Sequence, residues 1–255
     1  MKSFSVLVLI IALHLGYLNF TYAASQDSKA AFDALEMAQE DLQQRKLGPM
    51  SDYTLMFLQH EQNKHGDYQL ARITQRNGFP VKSELLRSKG EVDKEADVNW
   101  NRFILVTMPR EYTQQAKLVR ETEASWYFQV PTTVQAQTDS EEIEELSHAN
   151  KLLQERLVTE VSVSKLKPSF TGMRIFAPQP FSPSLLVKVT TFDVKLDFDE
   201  VSSSGPLYVS KETRQLEGHY GLFISINDWV QTTITDMQIM ERQKGFNNHD
   251  EKLLP

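Results

Sequence analysis

The first part of the chain places apolar residues at helical spacing. Residues 24–47 contain no proline or glycine, and acidic residues separate the apolar positions. The apolar face consists of Ala31, Leu35, Ala38 and Leu42. The pattern predicts an N-terminal amphipathic helix that ends at Gly48-Pro49, and such a helix needs an apolar surface to lie on.

From residue 51 onwards the apolar period becomes two, which is typical of strands. Residues 53–58 and 68–73 form a predicted hairpin. Residues 113–121 and 125–130 form a second one, and 103–108 is either a strand or a helix end. Further strands are predicted at 156–166, 169–177, 184–198, 206–217, 219–226 and 230–240.

Polar and turn-forming residues separate these strands. Residues 77–100 are polar, contain two glycines and a proline, and are predicted to be mostly loop, with a helical turn near 91–99. Further turns are expected at 178–183, at Gly218 and at Asn227-Asp228.

A capping pattern marks one more helix in the middle of the chain. Thr138 lies three residues before Glu141, where each side chain can satisfy a free backbone N–H at the start of a helix. The spacing predicts a short acidic helix that ends near Asn150.

The order of these elements predicts an α+β fold. Strands joined by short turns favour a single curved antiparallel β-sheet, whose concave face is covered by the N-terminal helix and the short mid-chain helix. Neither a repeat nor a flexible linker divides the sequence. We expect one domain over residues 24–244 and a flexible C-terminal tail over 245–255.

Charge and composition exclude several functional classes. The formal net charge of −7 gives no general attraction to phosphate backbones, so nucleic acid is not an expected partner. The absence of cysteine excludes disulfides, thiolate metal sites and thiol catalysis.

The start of the sequence has the pattern of a signal peptide. Lys2 precedes a nearly continuous apolar run at 4–18, and the small residues Thr21 and Ala23 occupy the positions that a signal peptidase reads. We expect residues 1–23 to be removed by cleavage after Ala23. No later apolar run reaches the length of a spanning helix, so the mature chain is expected outside the cytoplasm without a membrane span.

The motifs of common enzymes are absent from the sequence. It contains no HExxH, no GxSxG and no glycine-rich phosphate loop. His60 and His65 are five residues apart across a predicted turn, which is not the ligand spacing of a zinc site. The acidic run at 139–145 is interpreted as the solvated face of a helix. No catalytic residue, cofactor or metal is therefore expected.

Large apolar side chains at strand positions form the candidate binding surface. A concave sheet with two short helices has more apolar surface than the helices can cover, which leaves room for an apolar ligand. The candidate residues are Tyr53, Leu55, Phe57, Leu70, Trp126, Phe128, Phe192 and Leu196. The alternative is that these residues are ordinary core.

Two arginines interrupt apolar strands and are the polar candidates for the cavity. Arg72 is preceded by Leu70, and Arg174 is followed by Phe176, each at the alternate position of its strand. A buried arginine needs a carboxylate or carbonyl partner. The alternative is that each extends its head group to the edge of the sheet.

Several features occur in an order that resembles a known family. They are the leader, the amphipathic helix at 30–46, the hairpin at 53–74, the strand Trp126-Tyr127-Phe128, the capped mid-chain helix, and the turn Pro180-Phe181-Ser182-Pro183 before a long strand. This order resembles the periplasmic lipoprotein carriers of Gram-negative bacteria (the LolA/LolB-like half-barrel superfamily), in particular uncharacterised proteobacterial periplasmic proteins of that type. The resemblance implies a periplasmic half-barrel whose helices shift when acyl chains enter its concave face.

The expected function is non-enzymatic binding of an apolar ligand, with a lipid or an acylated protein as partner. A first alternative is a structural or protein-interaction accessory module of an envelope complex with a filled core. A second is an enzyme whose site is assembled from distant residues. A charged residue at Leu55 or Phe128 separates the first two: it abolishes ligand uptake if these residues line an open groove, and prevents folding if they are core.

Overall fold

The computed structural model describes residues 28–45, 53–76, 79–90, 105–132, 154–184, 186–203, 205–221 and 224–241. Within these ranges the protein is mostly antiparallel sheet. Helix α1 covers residues 28–44, the short helix α2 covers Arg110–Gln114, and a helical turn covers 154–156. The strands are β1 (Tyr53–Asn63), β2 (Tyr68–Arg76), β3 (Phe79–Lys89), β4 (Lys117–Glu121), β5 (Ser125–Val130), β6 (Val158–Ser164), β7 (Phe170–Phe176), β8 (Phe181–Ser184), β9 (Val187–Glu200), β10 (Leu207–Tyr220) and β11 (Ile224–Glu241).

The strands form one sheet in the order β3-β2-β1-β11-β10-β9-β7-β6-β5-β4, and β8 pairs with β9. Most neighbours in this order also follow each other in the sequence. The main exception is the antiparallel pair of β1 and β11, in which Tyr53 lies opposite Glu241 and Asn63 opposite Val230. The first strand therefore joins the last one inside the sheet.

The core of the described structure lies on one face of the sheet. We call the face on which α1 packs the inner face, and the opposite one the outer face. Strand side chains alternate between the two, and the pairing register carries each face from strand to strand. Phe128 lies opposite Val161, for example, and Val161 opposite Met173; the first two belong to the buried cluster under α1, and Met173 packs against it.

A bulge keeps apolar side chains of β11 on the inner face on both sides of a register shift. The register of β1 with β11 shifts between Met56 and Leu58, and Asp236 at this point has a positive φ of 53°. One extra residue in a strand reverses its alternation. Ile234 before the shift and Met237 after it are consequently both buried in the same cluster.

The predicted fold class is confirmed, since the structure is one open curved antiparallel sheet with few helices, an α+β half-barrel. The predicted face of the N-terminal helix is confirmed as well. Its residues Ala31, Leu35, Ala38 and Leu42 are all buried. The predicted leader at 1–23, the mid-chain helix at 138–150 and the tail at 245–255 lie outside the described residues.

The prediction of a loop at 77–100 is wrong for the part that forms β3. This strand pairs with β2 from Phe79 opposite Arg76 to Lys89 opposite Tyr68. It lies at the edge of the sheet, and residues 81–90 are exposed. An edge strand with two exposed faces needs no apolar alternation and tolerates proline, so its polar sequence did not indicate a strand.

The predicted turns at Gly218 and at Asn227-Asp228 are also wrong, because these residues lie inside strands. β10 continues to Tyr220, and β11 begins at Ile224. The three strands expected over 206–240 are therefore two long ones. Glycine and asparagine indicate turns by their backbone preferences, but here pairing with neighbouring strands outweighs those preferences.

Three smaller differences concern the connections. The expected turn at 178–183 contains most of β8. The segment expected as a strand from residue 113 begins with α2, and its strand starts at Lys117. In the segment 103–108, Leu105 forms an isolated bridge with Tyr208, and residues 106–108 have no regular structure.

Replacing Gly218 with alanine should destabilise the sheet. A Cβ at this position would overlap the backbone carbonyl oxygen of Lys188 on β9. We expect the free energy of unfolding to fall by about 1–3 kcal/mol, as overpacking usually costs, measured by urea denaturation. His219→Ala, at the exposed next position of β10, is the control and should change it by less than about 0.5 kcal/mol. Equal losses of stability in the two variants would contradict the close approach of Gly218 to the carbonyl oxygen of Lys188.

Candidate functional site

Helix α1 packs tightly on the inner face through small side chains. Ala31, Ala34 and Ala38 are exposed by only 0%, 4% and 0%, and Leu35 and Leu42 are buried beside them. The sheet residues of this cluster, cluster 1, include Phe128, Val130, Val161, Val163, Phe170 and Leu207. Alanines let the helix backbone approach the sheet, so the space directly under α1 is filled by side chains.

A buried arginine fixes the C-terminal end of α1. Arg45 Nε lies 2.7 Å from Asp41 Oδ2, and Arg45 Nη2 lies 3.1 Å from Glu200 Oε1. Arg45 Nη1 also donates a hydrogen bond of 3.0 Å to the carbonyl oxygen of Gly205. Lys167 Nζ lies 2.9 Å from the same oxygen of Glu200. This lysine, followed by Arg45, holds the pKa of Glu200 below its ordinary value.

A groove of about 450 Å³ lies beside α1, between the helix and α2. Phe32 and Leu35 are its two apolar lining residues, and the other eight lining residues, all from α1 and α2, are polar. Leu35 also belongs to cluster 1, so the groove reaches the apolar core. Gln39 Nε2 donates to the carbonyl oxygen of Met108 at 3.0 Å, but its Oε1 is buried and accepts no hydrogen bond from the described residues. The groove has the size of a ligand site and one unsatisfied acceptor in its wall.

A second apolar cluster is built mainly from the inner face of β1, β2 and β11. Its buried members are Leu55, Phe57, Ala71, Ile73, Tyr208, Ile234 and Met237. Leu105 and Val201 pack against this cluster 2 from connecting segments. Among the described residues, none of its members belongs to a helix. Helix α1 therefore covers cluster 1, whereas connecting segments pack against cluster 2.

The structure places most predicted site residues on the inner face but divides them among separate clusters. Leu55 and Phe57 are core members of cluster 2, and Tyr53 lies on the same face of β1. Phe128 is a core member of cluster 1, and Trp126 packs against it. Phe192 packs against a third cluster, formed by Leu157, Phe181 and Val189. Leu196 lies on the inner face opposite Met173.

Leu70 and Arg72 do not lie with these residues. Leu70 pairs with His60 and Arg72 with Leu58, whereas Leu55 and Phe57 occupy the alternate positions of β1. The register therefore places Leu70 and Arg72 on the outer face, which differs from the prediction. Arg72 is exposed, and its Nη1 lies 3.2 Å from Oε2 of Glu84 on β3. Pairing register between two strands is not visible in either strand alone.

Arg174 also lies on the outer face, opposite Lys195 and not beside Leu196. Its Nε and Nη2 donate to the two carboxylate oxygens of Asp193, each at 2.9 Å. Its guanidinium lies 4.2 Å from the ring centre of Phe176. The arginine therefore has a bidentate partner and an aromatic contact away from the inner face.

The polar residues of the inner face were missed by the sequence analysis. Glu61 of β1 lies opposite Thr232 of β11, and Thr232 lies opposite Glu212 of β10. Arg214 Nε lies 3.3 Å from Glu212 Oε1. We call Glu61, Thr232, Glu212 and Arg214 the Glu61 cluster. Alternate residues of β1 change from Leu55 and Phe57 to Gln59 and Glu61, and this change of polarity along one face was the available signal.

Burial raises the pKa of Glu61, and the charge of Arg214 together with a hydrogen bond from Gln69 offsets part of that rise.

The described residues contain no group of three or more histidine and carboxylate side chains that could hold a metal ion. None of the helices in the described ranges is long and apolar enough to cross a membrane.

Comparisons with known proteins gave one similar solved structure. No protein-family model and no curated protein matches the chain. The structure is similar to the crystal structure of a LolA superfamily protein from Nitrosomonas europaea, with 8% sequence identity and a TM-score of 0.33. The similarity covers 80% of this chain and 92% of the other.

Proposed function

We propose that the protein binds an apolar ligand, a lipid or the acyl chains of a lipoprotein, on the inner face of its sheet and does not transform it. The observation that carries this proposal is the groove of about 450 Å³ beside α1, which extends to Leu35 of cluster 1. Small-molecule sites commonly occupy about 300–1,000 Å³. Each methylene buried there contributes about 0.8 kcal/mol, so an acyl chain needs a dry apolar surface but no reactive group.

The attachment of α1 supports entry beside the helix. Polar contacts of Arg45 hold its C-terminal end, whereas Ala31 and Leu35 hold its first half by apolar packing. The ring of Phe32 lies 5.5 Å from that of Phe128, centre to centre. Apolar contacts have no fixed direction, so an acyl chain can replace them when the first half of α1 moves away. The predicted leader and the resemblance to periplasmic carriers support a periplasmic location for this activity.

Replacing Phe32 with glutamine should weaken binding without unfolding the protein. Phe32 lines the groove and is 38% exposed, so its loss removes ligand contacts more than core contacts. We expect at least about tenfold weaker binding of a fluorescent fatty acid, the equivalent of about 1.4 kcal/mol. Met37→Gln is the matched control, because Met37 is exposed on the same helix but does not line the groove. An unchanged affinity of the Phe32 variant would contradict entry at this groove.

The ligand itself is tested by native mass spectrometry of protein isolated without detergent. Bound lipid, together with displacement of the fluorescent fatty acid by unlabelled fatty acid, supports the proposal. Protein free of lipid that does not bind the probe overturns it.

A protein-interaction module is the second candidate, and the edge strand β3 favours it. Val81, Leu85 and Leu86 of this strand are 55%, 50% and 36% exposed. An exposed edge with apolar side chains can pair with a strand of another chain. Lipid-free protein that fails to bind the fatty acid but forms a complex with an envelope protein would support this candidate.

A further inference from the structure

A row of polar side chains crosses three neighbouring strands of the inner face. Glu61, Thr232 and Glu212 of the Glu61 cluster occupy directly opposed positions on β1, β11 and β10. Neighbouring strands are about 4.8 Å apart, so the two glutamates are about 10 Å apart at their backbones, with the threonine between them. Side chains at such positions point to the same side of the sheet and can contact one ligand.

Two buried polar atoms in this row have no hydrogen-bond partner among the described residues. Glu61 Oε2 and Thr232 Oγ1 are buried and make no hydrogen bond with any part of the chain that the structure describes. Thr232 is only 2% exposed. A buried acceptor without a donor destabilises a protein, and buried polar groups are nearly always satisfied. An external donor would satisfy both atoms.

The charges around these acceptors favour a cation. Glu61 and Glu212 are accompanied by Asp228, whose charge also raises the pKa of Glu61. Asp228 lies opposite Leu216, two positions along β10 from Arg214, and therefore belongs to the inner face. Among the described residues of this part of the inner face, three carboxylates accompany one guanidinium, so a positive charge is favoured over a negative one.

We propose that the Glu61 cluster binds the primary ammonium group of an apolar ligand. An ammonium group has three N–H donors, and Glu61 Oε2 and Thr232 Oγ1 can accept two of them while the carboxylate of Glu212 contributes negative charge. Phe57 of cluster 2 lies four residues from Glu61 on the same face, about 13 Å along the strand, with the buried Gln59 between them. An alkyl chain that extends from the Glu61 cluster towards Phe57 therefore has to displace packed side chains of cluster 2.

This inference rests on the proposed function and names the head group of its ligand. Two sources share the chemistry: a phospholipid with an ethanolamine head group and a free long-chain amine. Each has a counterpart in which a trimethylammonium group carries the same charge but no N–H donor.

The test compares displacement of the fluorescent fatty acid by four compounds at neutral pH, below their critical micelle concentrations. Dodecylamine is compared with dodecyltrimethylammonium, and lysophosphatidylethanolamine with lysophosphatidylcholine. We expect at least one primary amine to bind about tenfold or more tightly than its trimethylated counterpart, because only the amine satisfies the buried acceptors. A preference in the first pair alone identifies a free amine, and one in the second pair identifies the phospholipid head group.

The variants Glu61→Gln and Thr232→Val should each reduce this preference to about twofold or less, while dodecanoate binding is retained as evidence of folding. Glu217→Gln is the matched control. The Glu217 carboxylate accepts hydrogen bonds from Thr191 and Gln215 and lies on the outer face, so this variant should keep the full preference.

The outcomes separate the two proposals. Equal affinities within both pairs, or a preference that both cluster variants retain, overturn the ammonium site but leave apolar binding intact. Failure of every compound and of the fatty-acid probe to bind overturns the proposed function as well.

Discussion

Replacing Phe128 with alanine is expected to lower the free energy of unfolding by about 3–5 kcal/mol, the usual effect of removing a large buried ring. Phe128 is 0% exposed, lies under α1 and contacts the ring of Phe32. The substitution leaves a cavity between helix and sheet that the alanines of α1 cannot fill. Chemical denaturation followed by circular dichroism measures the loss.

Val119→Ala provides the control for this result. Val119 lies on the neighbouring strand β4 and is 45% exposed, so its truncation should cost less than about 0.5 kcal/mol. If Phe128→Ala abolished fatty-acid binding while stability stayed the same, Phe128 would line an open groove. The burial of Phe128 and Leu55 indicates instead that a charged residue at either position prevents folding.

Replacing Arg45 with methionine should also lower the free energy of unfolding substantially. Removing a charged hydrogen-bond donor from a partly buried site costs about 2–3 kcal/mol, because Asp41 and Glu200 lose one donor but stay about a quarter exposed. The side chain of Arg45 is 6% exposed, and its loss leaves Asp41 and Glu200 without this guanidinium. Arg72→Met is the matched control. Its ion pair with Glu84 is about half exposed on both sides, so we expect a loss below about 1 kcal/mol.

The effect of Arg45→Met should depend on pH. The pKa of Glu200 is lowered in the folded protein, chiefly by Lys167 and then by Arg45. A lowered carboxyl pKa means that the unfolded state binds more protons, so this contribution to stability is complete above the ordinary glutamate pKa. It is lost as the pH falls through the lower folded value. Urea denaturation at pH 7 and pH 3 should therefore show a smaller difference between variant and wild type at pH 3. A constant difference would contradict the role of the Glu200 carboxylate.

Local patterns were sufficient to predict elements that bury one face. The spacing of Ala31, Leu35, Ala38 and Leu42 predicted α1 and its packing face, and the alternation around Phe128 predicted β5. Such patterns exist because burial selects one side of a helix or strand. Strand β3 was missed because its residues 81–89 are exposed on both faces and therefore show no such pattern.

The candidate site was harder to predict because it depends on relations between strands. Whether Leu70 lies beside Phe57 or behind it is decided by one residue of register between β1 and β2. The orphaned acceptors of Glu61 and Thr232 likewise become visible only when β1 and β11 are paired. Sequence alternation assigns residues to faces within a strand, but pairing decides which faces coincide.

The pairing of β1 with β11 also has a consequence for how the protein acquires its structure. Asn63 and Val230 are far apart in the sequence, because strands β2 to β10 lie between them. The pairing of β1 with β11 nevertheless connects the β3-β2-β1 part of the sheet to all its other strands. Contacts between such distant segments form slowly, because the entropy of closing a long loop is lost first. The hairpin of β1 and β2 therefore keeps its apolar side exposed until β11 has been synthesised and pairs with β1. During that interval its exposed apolar side chains and unpaired strand edge make the newly made polypeptide prone to aggregation.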